Sequence, residues 1–153
     1  MAKRKIVQYG DDTLRRVCRP VDKITPAVLT LLDDMVETMR AAAGVGLAAP
    51  QVGIIRRIAG SETEPGKVSE LINPKIIATA GEQEGSEGCL SLPGQFGIVR
   101  RPMHVTVRAM NRHGEIVDIR GSELLARAFC HEIAHLDGKL FIDDAICMLG
   151  DDE

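Results

Sequence analysis

Apolar residues recur along this chain at two different periods, and the periods mark its elements. After an extended arm and turn over residues 5–21, Thr25-Pro26 opens a helix: threonine can cap, and proline suits the first helical position, where its missing N–H would be unpaired anyway. Val28, Leu31, Leu32, Met35, Met39 and Ala42 follow at helical spacing and predict one buried face, with Asp33, Asp34 and Glu37 off it. The methionines read as core filler, and Gly44 as the stop. A second helix is predicted from a Ser122 cap to Gly138. Leu124, Ala128, His131 and His135 share one of its faces, at steps of four, three and four. Strands are expected at 52–58, in two pieces around Asn73-Pro74, and across 95–109, where Val105, Val107 and Ala109 alternate with polar residues. Residues 115–119 pair back through the turn Asn111–Gly114, while 60–69 and 81–88 read as loop and acidic connector. The tail from Gly150 to Glu153 is expected to fray.

Composition narrows the class. A chain of 153 residues with 44% hydrophobic and 27% charged residues suits one globular domain, residues 1–153. Aromatics make up only 3%, so the core must be aliphatic and no stacking platform for single-stranded nucleic acid is expected. The net charge of -3 offers no field for phosphate backbones; Arg15-Arg16, Arg56-Arg57 and Arg100-Arg101 read first as solvated charge. Four scattered cysteines do not make a disulfide framework, and no stretch approaches the ~18–20 apolar residues of a membrane span. A reducing cytoplasm is the expected compartment. His104 and His113 read as solvent histidines.

The candidate chemistry centres on His131-Glu132-Ile133-Ala134-His135. Two imidazoles one helical turn apart can grip one metal ion, which acidifies a bound water, and Glu132 beside them can move the proton. A third ligand is missing from the helix. By residue type Cys89 reads first as a small buried hydrophobe, yet a thiolate is a strong ligand. Gly44–Gly53 is small, apolar and glycine-punctuated. It is either a tight turn or a backbone that something approaches closely, and its single amide, Gln51, needs a partner if buried.

Three stretches, Gly44-Val45-Gly46-Leu47-Ala48-Ala49-Pro50-Gln51, Glu87-Gly88-Cys89-Leu90-Ser91 and His131-Glu132-x-x-His135, together resemble the peptide deformylases in order and spacing. Ile6–Pro20 and Leu71–Pro74 resemble that family too, so the likeness covers nearly the whole chain. It implies an α+β fold: mixed, mostly antiparallel sheets around a central metal-binding helix. It implies removal of the formyl group from formylmethionine on nascent polypeptides, possible contact with the ribosome near the exit tunnel, and no membrane or specific nucleic-acid partner. Carried over by position, Cys89, His131 and His135 bind one divalent metal, with Fe(II) favoured and Zn, Ni or Co possible. Glu132 is then the general acid/base, and Gln51 and the Leu90 backbone N–H hold the oxyanion. Gly46 lies against the substrate backbone, and Val45, Leu124 and Ala128 surround the methionine side chain.

The chain departs from the family pattern at Ala134, where the family usually has an aspartate that pairs with the arginine aligning with Arg101. Arg101 is therefore expected to lack its partner, and Ala134→Asp to raise the melting temperature. The strand after Gly53 also degrades into Ala59-Gly60-Ser61, and the tail lacks a long final helix. Two rival readings remain. One is a His-Glu-x-x-His zinc peptidase whose third ligand comes from downstream, at Asp143, Asp144 or Glu153. The other is a metal-binding homologue whose activity has lapsed.

Overall fold

The computed structural model describes residues 2–150. Asp151 to Glu153, expected to fray, lie outside the described residues. Two antiparallel sheets enclose one helix. The larger is built from β1 (Gly46–Ala48), β2 (Ile58–Glu64), β3 (Lys67–Ala80), β6 (His104–Met110) and β7 (Ile116–Ser122), in that order across the sheet. The smaller joins β4 (Gln83–Cys89), β5 (Leu92–Arg101) and the short β8 (Ala145–Met148). Every strand pair among the described residues is antiparallel; one isolated bridge, Arg19 to Arg56, is parallel.

Helix α2 (Leu124–Leu136) lies between the sheets and is buried along most of its length, its polar stripe included. Ala126, Phe129, Cys130, Ile133 and Leu136 pack on Leu71, Val105, Val107 and Ala109 of the larger sheet. Arg127, His131, Glu132 and His135 are also buried. Helix α1 (Pro26–Ala41) closes the edge of the same sheet, with Leu32, Met35 and Met39 against Leu47, Ile58 and Ile72. Thr25 Oγ1 accepts from Val28 N–H at 3.3 Å, as the capping residue should. A short α3 (Phe141–Asp144) and Leu14, Leu92, Val99 and Leu140 fill the space beneath the smaller sheet.

Several expectations are corrected. Residues 52–58 are not a strand: a 3-10 turn spans Ala49–Val52, and β2 starts only at Ile58. The stretch 60–69 is a hairpin, β2 to β3, turning at Pro65-Gly66 with Gly66 at φ 82°. Its residues lack strand propensity, but Ile58, Ala59 and Ser61 are fully buried, and burial with ladder pairing outweighs propensity. The supposed connector 81–88 is mostly β4; its acidic residues are balanced across the ladder, where Glu84 meets Arg100 at 2.7 Å. The two strand pieces at Asn73-Pro74 are one strand with a bulge, and Asn73, at φ 52°, holds the Val21 backbone through both ends of its amide. Ser122 ends β7 instead of capping α2; the residue before the helix is Glu123, at φ 56°. Asp34, expected off the buried face of α1, is 4% exposed because the N-terminal arm covers it: Ala2 N–H donates to Asp34 Oδ1 at 2.7 Å. After α1 the left-handed residue is Ala43, not Gly44. Gly44 instead gives room, since a Cβ there would meet the Leu90 side chain at 2.7 Å.

Candidate metal centre and substrate cavity

Strand β4 delivers Cys89 to the face of α2 that carries both histidines. Cys89 Sγ lies 3.3 Å from His135 Nε2, and one ligand atom from each of Cys89, His131 and His135 falls within 4.8 Å of the others. The imidazole rings meet edge to face at 5.0 Å. Two nitrogens and a sulfur so gathered are a donor set that suits a transition metal.

The surroundings fit such an ion. His131 Nδ1 lies 3.0 Å from Glu87 Oε1, and a proton held there leaves Nε2 free to ligate. Burial lowers the affinity of the His131 ring for a proton, but Glu132, Cys89 and Glu87 together hold its pKa up to about 10. Burial holds His135 well below the ordinary range, so it stays neutral and ready to donate its lone pair. Burial also pushes Glu132 up to about 7, a value suited to taking and returning a proton near neutrality. Glu132 Oε1 is buried without a hydrogen-bond partner among the described residues, as a group reserved for a ligand would be.

Gln51 is 1% exposed, and its amide is fixed from both ends. Its Oε1 accepts from Ala48 N–H at 2.9 Å, and its Nε2 donates to Ser91 Oγ at 3.1 Å and reaches Cys89 Sγ at 3.4 Å. The 3-10 turn therefore places an amide donor beside the sulfur. A Cβ at Gly46 would collide with the Glu132 carboxylate. A cavity of about 480 Å³ opens over the centre, lined by Cys89, Gln51, His131 and Glu132. Gly46, Val45, Leu90, Leu124 and Ala128 share its wall. The residues carried over from the family resemblance therefore gather at this cavity, with His135 beside Cys89 beneath it.

The partner expected for Arg101 is corrected. Arg101 is 8% exposed and donates twice to Glu87, at 2.9 and 3.0 Å, so the absence of an aspartate at Ala134 does not leave it bare. The gain expected from Ala134→Asp loses its basis. Arg127 donates to the same carboxylate at 2.7 Å. Burial pushes Glu87 up, but His131 and Arg101 hold it down to about 2, so it is ionised. Sequence reasoning gave Glu87, Ser91 and Arg127 no role. The signals were there: Glu87 lies two residues before Cys89 on a strand, and Arg127 four before His131 on a helix, so each pair shares a face. His104 and His113 are exposed, as expected. The downstream carboxylates of the peptidase reading are engaged elsewhere or distant in role: Asp143 pairs with Arg15 at 2.6 Å, Asp144 lies 3.7 Å from Arg101, and Glu153 is outside the described residues.

Comparison with known proteins agrees with this geometry. Residues 3–148 match the family model described as polypeptide deformylase. The peptide deformylase of Acetivibrio thermocellus is 54% identical over 153 residues, covering 100% of this chain and 89% of that protein. The crystal structure of a peptide deformylase from Legionella pneumophila superposes with a TM-score of 0.91 at 41% identity, covering 98% of this chain and 88% of that one. That of the peptide deformylase from Thermotoga maritima gives 0.91 at 36%, covering 95% and 99%. With its cysteine, histidines and glutamate assembled at one cavity, the chain belongs to the polypeptide deformylase family.

Proposed function

We propose that Cys89, His131 and His135 hold the metal ion with which this deformylase removes the formyl group from N-terminal formylmethionine. The observation that carries the assignment is the approach of Cys89 Sγ to within 3.3 Å of His135 Nε2, with Glu132 alongside. Bound there, a divalent ion supplies Lewis acidity and makes water acidic enough to yield hydroxide near neutral pH. Glu132 takes the proton of the attacking water and passes it to the departing amine, leaving formate and a free N-terminus. Gln51 Nε2 and the Leu90 backbone N–H donate to the oxygen that becomes negative; one such donor is worth about 3 kcal/mol. β1 is the edge strand of its sheet, so the peptide docks along it as an added strand, its backbone passing Gly46. Val45, Leu124 and Ala128 enclose the first side chain. The chain acts as one catalytic domain over residues 1–153.

Two nitrogens and a thiolate suit Fe(II), which the family resemblance favours, and also Zn, Ni and Co. The substrates are nascent chains, met near the ribosomal exit tunnel in the cytoplasm. No helix among the described residues is long and apolar enough to cross a membrane. Anaerobically purified protein, analysed for metal and assayed for formate release from a formyl-Met peptide, tests the proposal. Cys89→Ala should lose both metal and activity. A Cys89→Ala protein that kept both would restore the peptidase reading.

A further inference from the structure

The two donors assigned to the oxyanion stand on different sheets. Gln51 belongs to the 3-10 turn that follows β1 of the larger sheet. Leu90, with Ser91, makes the tight turn between β4 and β5 of the smaller one. Among the described residues no backbone hydrogen bond joins these two turns to each other. The N-terminal arm joins them instead. Val7 N–H donates to Gln51 O at 2.7 Å, and two residues on, Tyr9 N–H donates to Ser91 O at 2.7 Å. Two residues of chain reach at most about 7 Å, so the two carbonyls cannot drift apart while both bonds hold.

The strap is itself anchored. The Val7 side chain packs on the cluster of Leu14, Leu92, Leu140 and Phe141 beneath the smaller sheet, while its N–H reaches across to the larger one. Upstream, Arg4 N–H donates to Thr38 Oγ1 of α1 at 2.8 Å. What the strap holds cannot adjust by itself. Gln51 Oε1 is fixed by Ala48 N–H within the same segment, so the amide moves with its turn, and the Leu90 donor is backbone. Oxyanion donors must lie about 2.7–3.1 Å from the oxygen as it becomes negative. A misplacement of about 1 Å can cost about 10²-fold in rate.

Resting on the reading of Gln51 and Leu90 as oxyanion donors, we propose that Val7 and Tyr9 are positioning residues, whose backbone N–H groups clamp the two turns and set the spacing between the donors. Neither residue lines the cavity, so both act through Gln51 and the Leu90–Ser91 turn.

Proline in place of either residue removes the N–H. Lys5 is exposed and donates to neither turn, so Lys5→Pro is the control. With metal-loaded enzyme and a formyl-Met peptide, Val7→Pro and Tyr9→Pro should each lower kcat about 10–100-fold with KM held within about threefold. Lys5→Pro should stay within about twofold of wild type, the arm being held elsewhere. In a Gln51→Met background the loss from Val7→Pro should shrink below about threefold, because the donor it aims is gone. Tyr9→Pro should keep most of its loss there, because the Leu90 N–H remains. A general weakening of the fold would act alike in both backgrounds. A full-length chain with an ester at residue 7 (the α-hydroxy analogue of valine, introduced by ligation at Cys18) keeps every side chain and removes only that N–H. Made with and without Gln51→Met, it should repeat the Val7→Pro pattern, and it decides the matter if the proline variant does not fold. An unchanged kcat in the ester chain, or an equal fractional loss with and without Gln51, overturns the proposal. Either result defeats only this inference, whereas a wild type that releases no formate defeats the deformylase reading with it.

Discussion

Glu87 Oε1 accepts from His131 Nδ1 at 3.0 Å, while the same carboxylate receives Arg101 and Arg127. One buried anion thus orients a proposed metal ligand and is shared by two buried cations. Glu87→Gln should lower metal affinity by roughly 10–100-fold, the usual effect of losing a ligand's outer partner. It should also destabilise the fold by about 3–5 kcal/mol, because two guanidinium groups are left buried without a counter-charge. Metal titration and urea unfolding of the same preparation separate the two effects. Unchanged stability would mean that the arginines do not depend on Glu87.

In the proposed mechanism Glu132 acts on the proton and not on the fold. Glu132→Gln keeps the volume and removes a charge that burial disfavours. Deformylation should drop by about 10²–10⁴-fold. Metal content and melting temperature should hold or rise. A variant that retained more than a tenth of the activity would take the proton transfer away from this residue.

Gln51 is tied to Ala48, Ser91 and Cys89 before any substrate arrives. Gln51→Met fills similar space without a donor, so kcat should fall by about 10²–10³ with a smaller change in KM. The freed Ala48 N–H should lower stability by about 1–3 kcal/mol. An effect confined to KM would mean that Gln51 binds the ground state only.

Glu123 stands at φ 56° and ψ −120° immediately before α2, a backbone region that glycine occupies far more readily. Its side chain is exposed, so its removal loses little packing. Glu123→Gly should therefore stabilise the protein by about 1 kcal/mol, or about 2–4 °C in Tm. A lower Tm in calorimetry would show that the side chain supports the helix start in a way its exposure hides.

Glu62 predicts a pH dependence. Hydrogen bonds from Arg40, then from Gly66 N–H, lower its carboxyl from 4.5 to about 2. A carboxyl depressed on folding contributes stability above its unfolded value and loses it as pH falls through the folded one. The Tm difference between wild type and Glu62→Gln should hold steady above pH 4.5 and vanish by about pH 2. A difference that persisted at pH 2 would assign it to packing. Arg40 is exposed, so the effect is small and should shrink further in salt.

The two long helices, α1 and α2, were legible in the chain because local signals fix them. Thr25-Pro26 supplies a cap and a first-turn proline, and His131 and His135 share a face by the helical period alone. The hairpin of β6 and β7 announces itself through Val105, Val107 and Ala109 and the Asn111–Gly114 turn. Strands β2 and β4 do not, because Ala59-Gly60-Ser61 and the glutamates of 82–87 have no strand propensity of their own. They are extended only because neighbouring strands and the core make them so.

Side-chain chemistry and short-range spacing alone mark His131, Glu132 and His135 as a group suited to metal binding and proton transfer, whereas Cys89 by residue type reads as a small buried hydrophobe. Tertiary structure alone decided that Cys89 meets a histidine 46 residues away, and that Glu87 rather than a neighbour on the helix neutralises Arg101. Such pairings depend on how two sheets close over α2. No period within a single segment encodes that closure.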